Sequence, residues 1–162
     1  MTLHEQSVGA TDEWYTPRYV FTAMGATFDL DVAHPGPPHA AWVPATNFIT
    51  TGSIIKRWSG FVWMNPPFGG RNGLVPWLIR FVEHGNGVAR VPDRTSAPWW
   101  QQFAREADLV LFVSPKIKFI GRDGQPGKSP AQGTSLMAIG ARGCHALQRA
   151  TTNGLGSLLV VP

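Results

Sequence analysis

Cysteine, charged residues and long apolar runs are all scarce in this chain. Cys144 is the only cysteine, which excludes an internal disulfide and a zinc site made of several thiolates. The five histidines show no metal-ligand spacing, so we expect no bound metal. Apolar stretches fall short of the roughly 20 residues that cross a membrane, and residues 1–11 lack a signal-peptide core. We therefore expect no membrane association and a cytoplasmic protein.

The composition that remains is that of a basic globular domain. Of the 162 residues, 43% are hydrophobic and 15% are charged, which suits a folded chain with a buried core. There are 14 Lys and Arg against 10 Asp and Glu, and the net charge of +4 favours a polyanionic partner such as nucleic acid. Many small proteins carry such a charge without that role. We expect residues 1–11 to form a flexible arm and residues 12–162 to form a single domain.

One stretch, residues 61–68, organises the rest of the chain. Its first four residues are apolar, which is typical of a strand buried on both faces, as in a parallel sheet. Pro66 and Pro67 cannot continue a strand, because each lacks an N–H group and has a fixed φ. Asn65 should therefore stand at the carboxyl end of a central strand, where open α/β sheets bind their ligands.

The residues that follow this strand suit a planar NH2 group. Asn65 offers a side-chain carbonyl and Pro66 a backbone carbonyl, and two converging acceptors can take both hydrogens of a nucleobase amine. The nitrogen lone pair would then be freed for attack, while Phe68 offers a flat face on which the base can stack. An Asn-Pro-Pro turn that only ends a strand would have the same sequence, so both interpretations remain open.

Local patterns predict the surrounding helices and strands. The predicted helices run from Pro17 to Gly25 with Thr16 as the N-cap, over about residues 74–84 up to Gly85, and from a cap at Thr95 or Ser96 to about residue 107. The predicted strands cover residues 28–33, 47–50, 61–64, 87–91, 109–113, 116–120, 134–139 and 157–161. Strands and helices alternate over residues 61–113, which predicts an α/β fold with a mostly parallel central sheet flanked by helices.

Asp31 is a second candidate site residue, near the end of a predicted strand. A carboxylate there can accept hydrogen bonds from a ribose or bind an ammonium group. The alternative is an ordinary acid on a solvated edge strand. Three loops, residues 34–47, 69–73 and 121–133, are candidates for further contacts. The third is basic and could lie along phosphates, although a plain hairpin connection would have the same composition.

Several stretches taken in order resemble a known family. Residues 12–17, 28–33, 47–50, 58–68, 91–100, 112–119 and 133–136 are similar to the phage-type (Dam-like) DNA N6-adenine methyltransferases, and the resemblance covers roughly residues 12–140. It implies a Rossmann-like fold that uses S-adenosyl-L-methionine as cofactor. It also implies methyl transfer to the exocyclic amine of an adenine flipped out of double-stranded DNA. A phage or prophage gene expressed in a bacterial host is the origin that the resemblance suggests.

The resemblance also assigns roles to individual residues. It implies catalytic roles for Asn65, Pro66, Pro67 and Phe68, and cofactor contacts for Tyr15, Thr16, Pro17, Asp31, Ala33 and Asn65. Candidate contacts to DNA phosphates are the cations Arg71, Arg94, Arg122 and Lys128, although each could equally be a solvated surface charge. No separate target-recognition domain is visible, so sequence readout is expected from the loops.

Other acceptors and one inactive alternative remain open at this point. N4-cytosine and protein-glutamine methyltransferases use a similar Asn-Pro-Pro-aromatic turn, because their acceptors also present a planar NH2 group. The glycine-rich turn common in methyltransferases is absent after the strand at residues 28–33, where His34 and Pro35 stand instead. This departure favours a further alternative, a nucleic-acid-binding module that keeps the fold but has lost methyl transfer.

Overall fold

A computed structural model of the chain describes residues 14–36, 42–67 and 73–159, and these form a layered α/β structure. The helices are α1 (Arg18–Met24), α2 (Val75–His84), α3 (Pro98–Glu106) and α4 (Ala141–Thr152). The strands are β1 (Phe28–Asp31), β2 (Ala45–Phe48), β3 (Val62–Met64), β4 (Gly87–Pro92), β5 (Leu109–Val113), β6 (Thr134–Ile139) and β7 (Gly156–Leu159). In the part of the chain just defined, no helix is long and apolar enough to cross a membrane.

The seven strands form one mixed sheet in the order β2-β1-β3-β4-β6-β5-β7. Strands β2, β1, β3 and β4 pair in parallel, whereas β6 is antiparallel to both β4 and β5, and β7 is antiparallel to β5. The mixed α/β class is confirmed, but the expectation of a mostly parallel sheet is not, because the antiparallel ladders are the longer ones. The physical reason is that β6 inserts between β4 and β5, so these two strands are not neighbours.

Helices cover both faces of the sheet and create two hydrophobic layers. Helices α1 and α4 pack on one face around Trp63, and α2 and α3 pack on the other around Val62 and Met64. Strand β3 is thus buried on both faces, as its unbroken apolar run predicted. Its carboxyl end is the place where the apolar layer stops and polar side chains begin.

The predicted helix ends are confirmed, whereas the predicted N-caps are wrong. Helix α1 is followed by Gly25 and α2 by Gly85, and both glycines adopt positive φ, of 56° and 73°. Helix α1 begins after Pro17 without a side-chain cap, so the Thr16 hydroxyl is left for another partner. Helix α3 likewise has Ala97 at its N-cap, although Thr95 and Ser96 offer hydroxyl groups nearby.

One predicted strand is absent and one helix was not predicted. The strand expected over residues 116–120 does not form, and within it only Ile120 makes isolated bridges, to Tyr15 and to Pro126. Helix α4 was not expected, because glycine and threonine weaken the helical signal of its sequence. A Cβ at Gly143 would lie 2.6 Å from the Gly87 carbonyl oxygen, so the absence of a side chain lets α4 pack closely on β4.

Candidate active site

The carboxyl ends of three neighbouring parallel strands carry polar side chains. Asp31 ends β1, Asn65 directly follows β3, and Arg90 lies in the second half of β4. Met64 pairs with Ala89, so the next residues along the two strands, Asn65 and Arg90, are side by side. A carboxyl, an amide and a guanidinium group are thus brought to one edge of the sheet, where α/β sheets bind ligands.

A cavity of about 1450 Å³ opens at this edge. It is larger than the roughly 300–1,000 Å³ typical of a pocket for one small molecule. The predicted site residues that line it are Tyr15, Thr16, Asp31, Ala33, Asn65, Pro66, Pro67, Arg122 and Lys128. Of the other predicted residues that the structure describes, Pro17 and Arg94 do not line the cavity. Phe68 and Arg71 lie outside the described residues.

Thr16 holds the amide of Asn65. The Asn65 Nδ2 group donates a hydrogen bond to the Thr16 hydroxyl oxygen at 3.3 Å, across 49 residues of sequence. Thr16 is itself 4% exposed, and its backbone carbonyl accepts a hydrogen bond from Trp42 Nε1 at 2.8 Å. With Nδ2 engaged by Thr16, the amide group of Asn65 is held in one orientation. Its side-chain carbonyl oxygen is the other polar atom of the amide and can accept hydrogen bonds.

The segment before α1 also fixes the basic loop at residues 121–133. Tyr15 exchanges two backbone hydrogen bonds with Ile120, of 2.8 and 2.9 Å, at the start of that loop. The Trp14 ring lies against Gly127, where an added Cβ would come within 2.6 Å of the ring. The cations Arg122 and Lys128 are both exposed and both line the cavity. One wall of the cavity is therefore basic.

Asp31 is a buried carboxyl in the cavity wall. It is 3% exposed, and its Oδ1 accepts a hydrogen bond from the backbone N–H of Ala33 at 3.1 Å. Burial raises the pKa of Asp31 to about 7, and the Ala33 hydrogen bond opposes this shift. β1 is an interior strand, so the alternative of a surface acid on an edge strand is wrong for Asp31.

Asp29, two residues earlier, has a structural role instead. Its carboxylate accepts a hydrogen bond from the Phe61 N–H at 2.7 Å and pairs with Arg142 at 2.8 Å. The Phe61 hydrogen bond and the Arg142 charge lower the pKa of Asp29. The two acids of one strand thus have opposite shifts, because only Asp31 is buried in the cavity wall.

Arg90 lines the cavity, although no sequence motif singled it out. Its guanidinium carbon lies 4.1 Å from the centre of the Phe119 ring, within the distance of a cation–π interaction. Burial lowers the pKa of Arg90 to about 9 and the Asp93 carboxylate opposes this, so the side chain is still cationic at neutral pH. A charged residue within the apolar strand β4 is the signal that could have identified it.

Asp93 is held near Arg90 by residues at the start of β6. Its carboxylate accepts a hydrogen bond from the Ser135 hydroxyl, and its backbone N–H donates to the Gly133 carbonyl at 3.0 Å. The family-like stretches at residues 91–100 and 133–136 thus meet here. Arg94, in contrast, is exposed and donates from Nε to Gln132 at 3.2 Å. Among residues 14–36, 42–67 and 73–159, no cluster of three or more His, Cys, Asp or Glu residues could hold a metal ion.

Comparison with known proteins adds the family. The family model described as DNA N-6-adenine-methyltransferase (Dam) matches residues 4–146. A DNA N-6-adenine-methyltransferase of Escherichia phage T1 is 26% identical over 113 residues, which cover 65% of this chain. The match spans 46% of that relative, so less than half of its length is represented here. No solved structure matches the chain. Because the family model covers most of the sequence, this chain belongs to the Dam family of DNA N-6-adenine-methyltransferases.

Proposed function

We propose that this chain transfers a methyl group from S-adenosylmethionine to the N6 amine of adenine in DNA. The observation that supports the proposal is the hydrogen bond from Asn65 Nδ2 to the Thr16 hydroxyl, which leaves the side-chain carbonyl of Asn65 as the group for a ligand. The family and its phage relative support DNA as the substrate. The cations Arg122 and Lys128 in the cavity wall support it independently.

Asn65 and Pro66 act on the amine as paired acceptors. The Asn65 side-chain carbonyl takes one amine hydrogen and the Pro66 backbone carbonyl takes the other, which makes the nitrogen lone pair available for attack. Pro66 is buried and Pro67 follows it, so two fixed φ angles hold the carbonyl in place. Because these groups are already positioned, the chain contributes alignment and preorganised hydrogen bonds. Stacking of the base on Phe68 stays a prediction.

The residues at the strand ends fit the cofactor. The cavity of about 1450 Å³ has room for a nucleobase and a second ligand together, and its lining includes the acid Asp31 and several aromatic side chains. Asp31 would accept hydrogen bonds from ribose hydroxyls or bind an ammonium group, with Tyr15, Thr16 and Ala33 lining the same space. When bound, S-adenosylmethionine supplies an activated methyl group. Pro17 does not line the cavity, so we propose for it only the start of α1.

We propose that the parallel half of the sheet is the Rossmann-like part of the fold. Strands β2, β1, β3 and β4 are parallel neighbours, and the ends of the last three carry Asp31, Asn65 and Arg90. Arg90 is suited to hold an anionic group of the cofactor or of the target nucleotide, because its guanidinium is charged and partly buried. Sequence readout falls to the loops around the cavity of this single domain, and Arg94 serves as an outlying phosphate contact.

The test is methyl transfer to unmethylated double-stranded DNA from radiolabelled S-adenosylmethionine, followed by digestion to nucleosides. We expect label in N6-methyladenosine. Asn65→Ala should lower turnover by on the order of 100-fold or more while cofactor affinity changes little, as expected for loss of one preorganised polar group. Asn47→Ala is the matched control, because Asn47 is exposed on β2 and does not line the cavity.

Each other outcome changes a defined part of the proposal. Label in N4-methylcytosine would keep the site and replace the acceptor base. Cofactor binding without any label in DNA would indicate another planar amide acceptor, such as a protein glutamine. If the cofactor does not bind, the chain is a module that has lost its chemistry. An Asn65→Ala enzyme with normal turnover would remove Asn65 from its role as acceptor.

A further inference from the structure

Ile55 is an exposed isoleucine at the edge of the cavity. Ile55 is 88% exposed, more than any other large hydrophobic side chain in the described part of the chain. It belongs to a turn at residues 52–56, which we call the rim turn, and Ile54 in the same turn is 37% exposed. Residues 52–55 of the rim turn line the cavity together with Asn65. A lone exposed isoleucine is ordinary on a protein surface, but Ile55 lies beside the cavity on a turn held by several hydrogen bonds.

The rim turn is fixed from behind and cannot fold Ile55 back onto the protein. Gly52 has a φ of 67°, and its carbonyl accepts hydrogen bonds from the N–H groups of Ile55 and Lys56 at 3.1 and 3.0 Å. The Ser53 carbonyl accepts a hydrogen bond from Nε1 of the buried Trp58 at 2.8 Å. Because the backbone is bonded on both sides of the tip, exposure of Ile55 is a property of the turn.

The base of the rim turn is also tied to a helix. Arg80 of α2 donates from Nη2 to the Lys56 carbonyl at 3.0 Å, and its guanidinium carbon lies 5.7 Å from the centre of the Trp58 ring. Trp58 is 4% exposed and belongs to the core, whereas Arg80 is half-buried. The rim turn is therefore tied both to the core and to α2.

Cations stand next to this apolar tip. Lys56 and Arg57 follow Ile55 directly, and both are exposed. Arg122 and Lys128 line the same cavity from the basic loop. An apolar side chain flanked by cations matches the DNA duplex, in which apolar base faces are stacked between two anionic backbones. Apolar wedges of this kind, isoleucine among them, enter base steps in other DNA-binding proteins.

We propose that Ile55 is a wedge that enters the base stack where the target base has left it. The inference rests on the proposed function, since it assumes that a base moves from the duplex into the cavity. Unstacking a base costs free energy, and a rigid apolar group that fills the gap offsets part of that cost. Isoleucine suits the task because its branched Cβ restricts χ1. Ile54 supports it, and Lys56 and Arg57 contact the flanking phosphates.

The test compares Ile55→Ala with Ile55→Leu and with a matched control, Ile79→Ala. Ile79 is 46% exposed on α2 and does not line the cavity. Substrates are duplexes that contain a site methylated by the wild-type enzyme, with the target adenine either paired or placed opposite an abasic position. The readouts are turnover and the emission of 2-aminopurine at the target position, which rises when the base leaves the stack.

We expect Ile55→Ala to lower turnover on the paired duplex by on the order of 10- to 100-fold and to reduce the 2-aminopurine emission. Most of the turnover should return on the abasic duplex, where the target adenine has no base pair to break and leaves the duplex at a lower cost in free energy. Ile55→Leu keeps the apolar volume without the branched Cβ and should retain most of the turnover, and Ile79→Ala should be unchanged. Equal loss on both duplexes, or wild-type emission and turnover in Ile55→Ala, would overturn the wedge. Absence of DNA methylation by the wild-type enzyme would instead overturn the proposed function.

Discussion

The buried carboxyl of Asp31 makes a pH dependence of cofactor binding the sharpest prediction. Asp31 is 3% exposed and its pKa is raised to about 7 by burial. If the ionised carboxylate binds the ribose or the ammonium group of S-adenosylmethionine, binding requires that Asp31 lose its proton. Affinity should therefore rise with pH up to about 7, and the substitution Asp31→Asn should remove this dependence.

The magnitude follows from the fraction of Asp31 that is ionised. With a pKa of about 7, that fraction falls about tenfold for each pH unit below 7. The dissociation constant for the cofactor should thus be about tenfold higher at pH 6, and about 100-fold higher at pH 5, than its plateau. Asp31→Asn keeps the shape of the side chain but cannot carry the charge, so its affinity should be weak and flat over the same range.

Isothermal titration calorimetry measures both the affinity and the proton. Titrations at pH 6 in two buffers of different ionisation enthalpy should show release of about one proton per cofactor bound. Asp29→Asn is the control, because the pKa of Asp29 is lowered by the Phe61 N–H and by Arg142 and the group does not line the cavity. In Asp29→Asn, the affinity for the cofactor should vary with pH as in the wild type, even if the variant is less stable. A wild-type affinity that does not vary with pH, or a slope that survives in Asp31→Asn, would refute the reasoning.

The same pKa shift predicts the sign of a stability change in the protein without cofactor. The pKa of Asp31 is raised from its ordinary value of 3.8 to about 7. Between these values the folded protein holds a proton that the unfolded chain releases, so the free energy of unfolding falls as pH rises from about 4 to about 7. The contribution of this group is on the order of 4 kcal/mol, fully present below pH 4 and lost above pH 7. Urea unfolding at several pH values, of the wild type and of Asp31→Asn, measures this contribution: the free energy of unfolding should fall more steeply between about pH 4 and pH 7 in the wild type.

Two further predictions concern residues that the sequence did not single out. Arg90→Gln should raise the dissociation constant of the cofactor or of DNA by on the order of 10- to 100-fold, because it removes a charged hydrogen-bond donor from the cavity. Arg90→Lys should recover part of the lost affinity. An unchanged affinity of Arg90→Gln for both ligands would contradict the proposal that Arg90 holds an anionic group. Gly143→Ala should lower the free energy of unfolding by about 1–3 kcal/mol, since its Cβ would meet the Gly87 carbonyl at 2.6 Å. Urea unfolding measures that free energy. A variant as stable as the wild type would show that α4 can shift at no cost.

The bounds of helices and strands that have a clear local pattern could be predicted from the sequence. The order of the strands in the sheet could not. Strands β5 and β6 have the predicted bounds, because each is an apolar run limited by turn residues. The position of β6 between β4 and β5 depends instead on where residues 114–133 lead the chain. No local pattern encodes that path. Helix α4 was missed for a related reason, since Gly143 weakens the local helical signal while its small size permits the tertiary contact that stabilises the helix.

In the candidate site, too, local sequence predicts which residues matter, whereas tertiary packing decides which contacts they make. Asn65 was identified because two prolines fix the end of its strand locally. The local pattern predicts Thr16 as an N-cap, yet the helix forms without that hydrogen bond and the hydroxyl accepts one from Asn65 instead. The free energy of a cap and of a buried amide hydrogen bond are both about 1 kcal/mol, so sequence propensity cannot decide between them. The tertiary packing that places Thr16 beside Asn65 decides it. The hydrogen bond between Thr16 and Asn65 is therefore a property of the fold, even though the sequence predicts both as site residues.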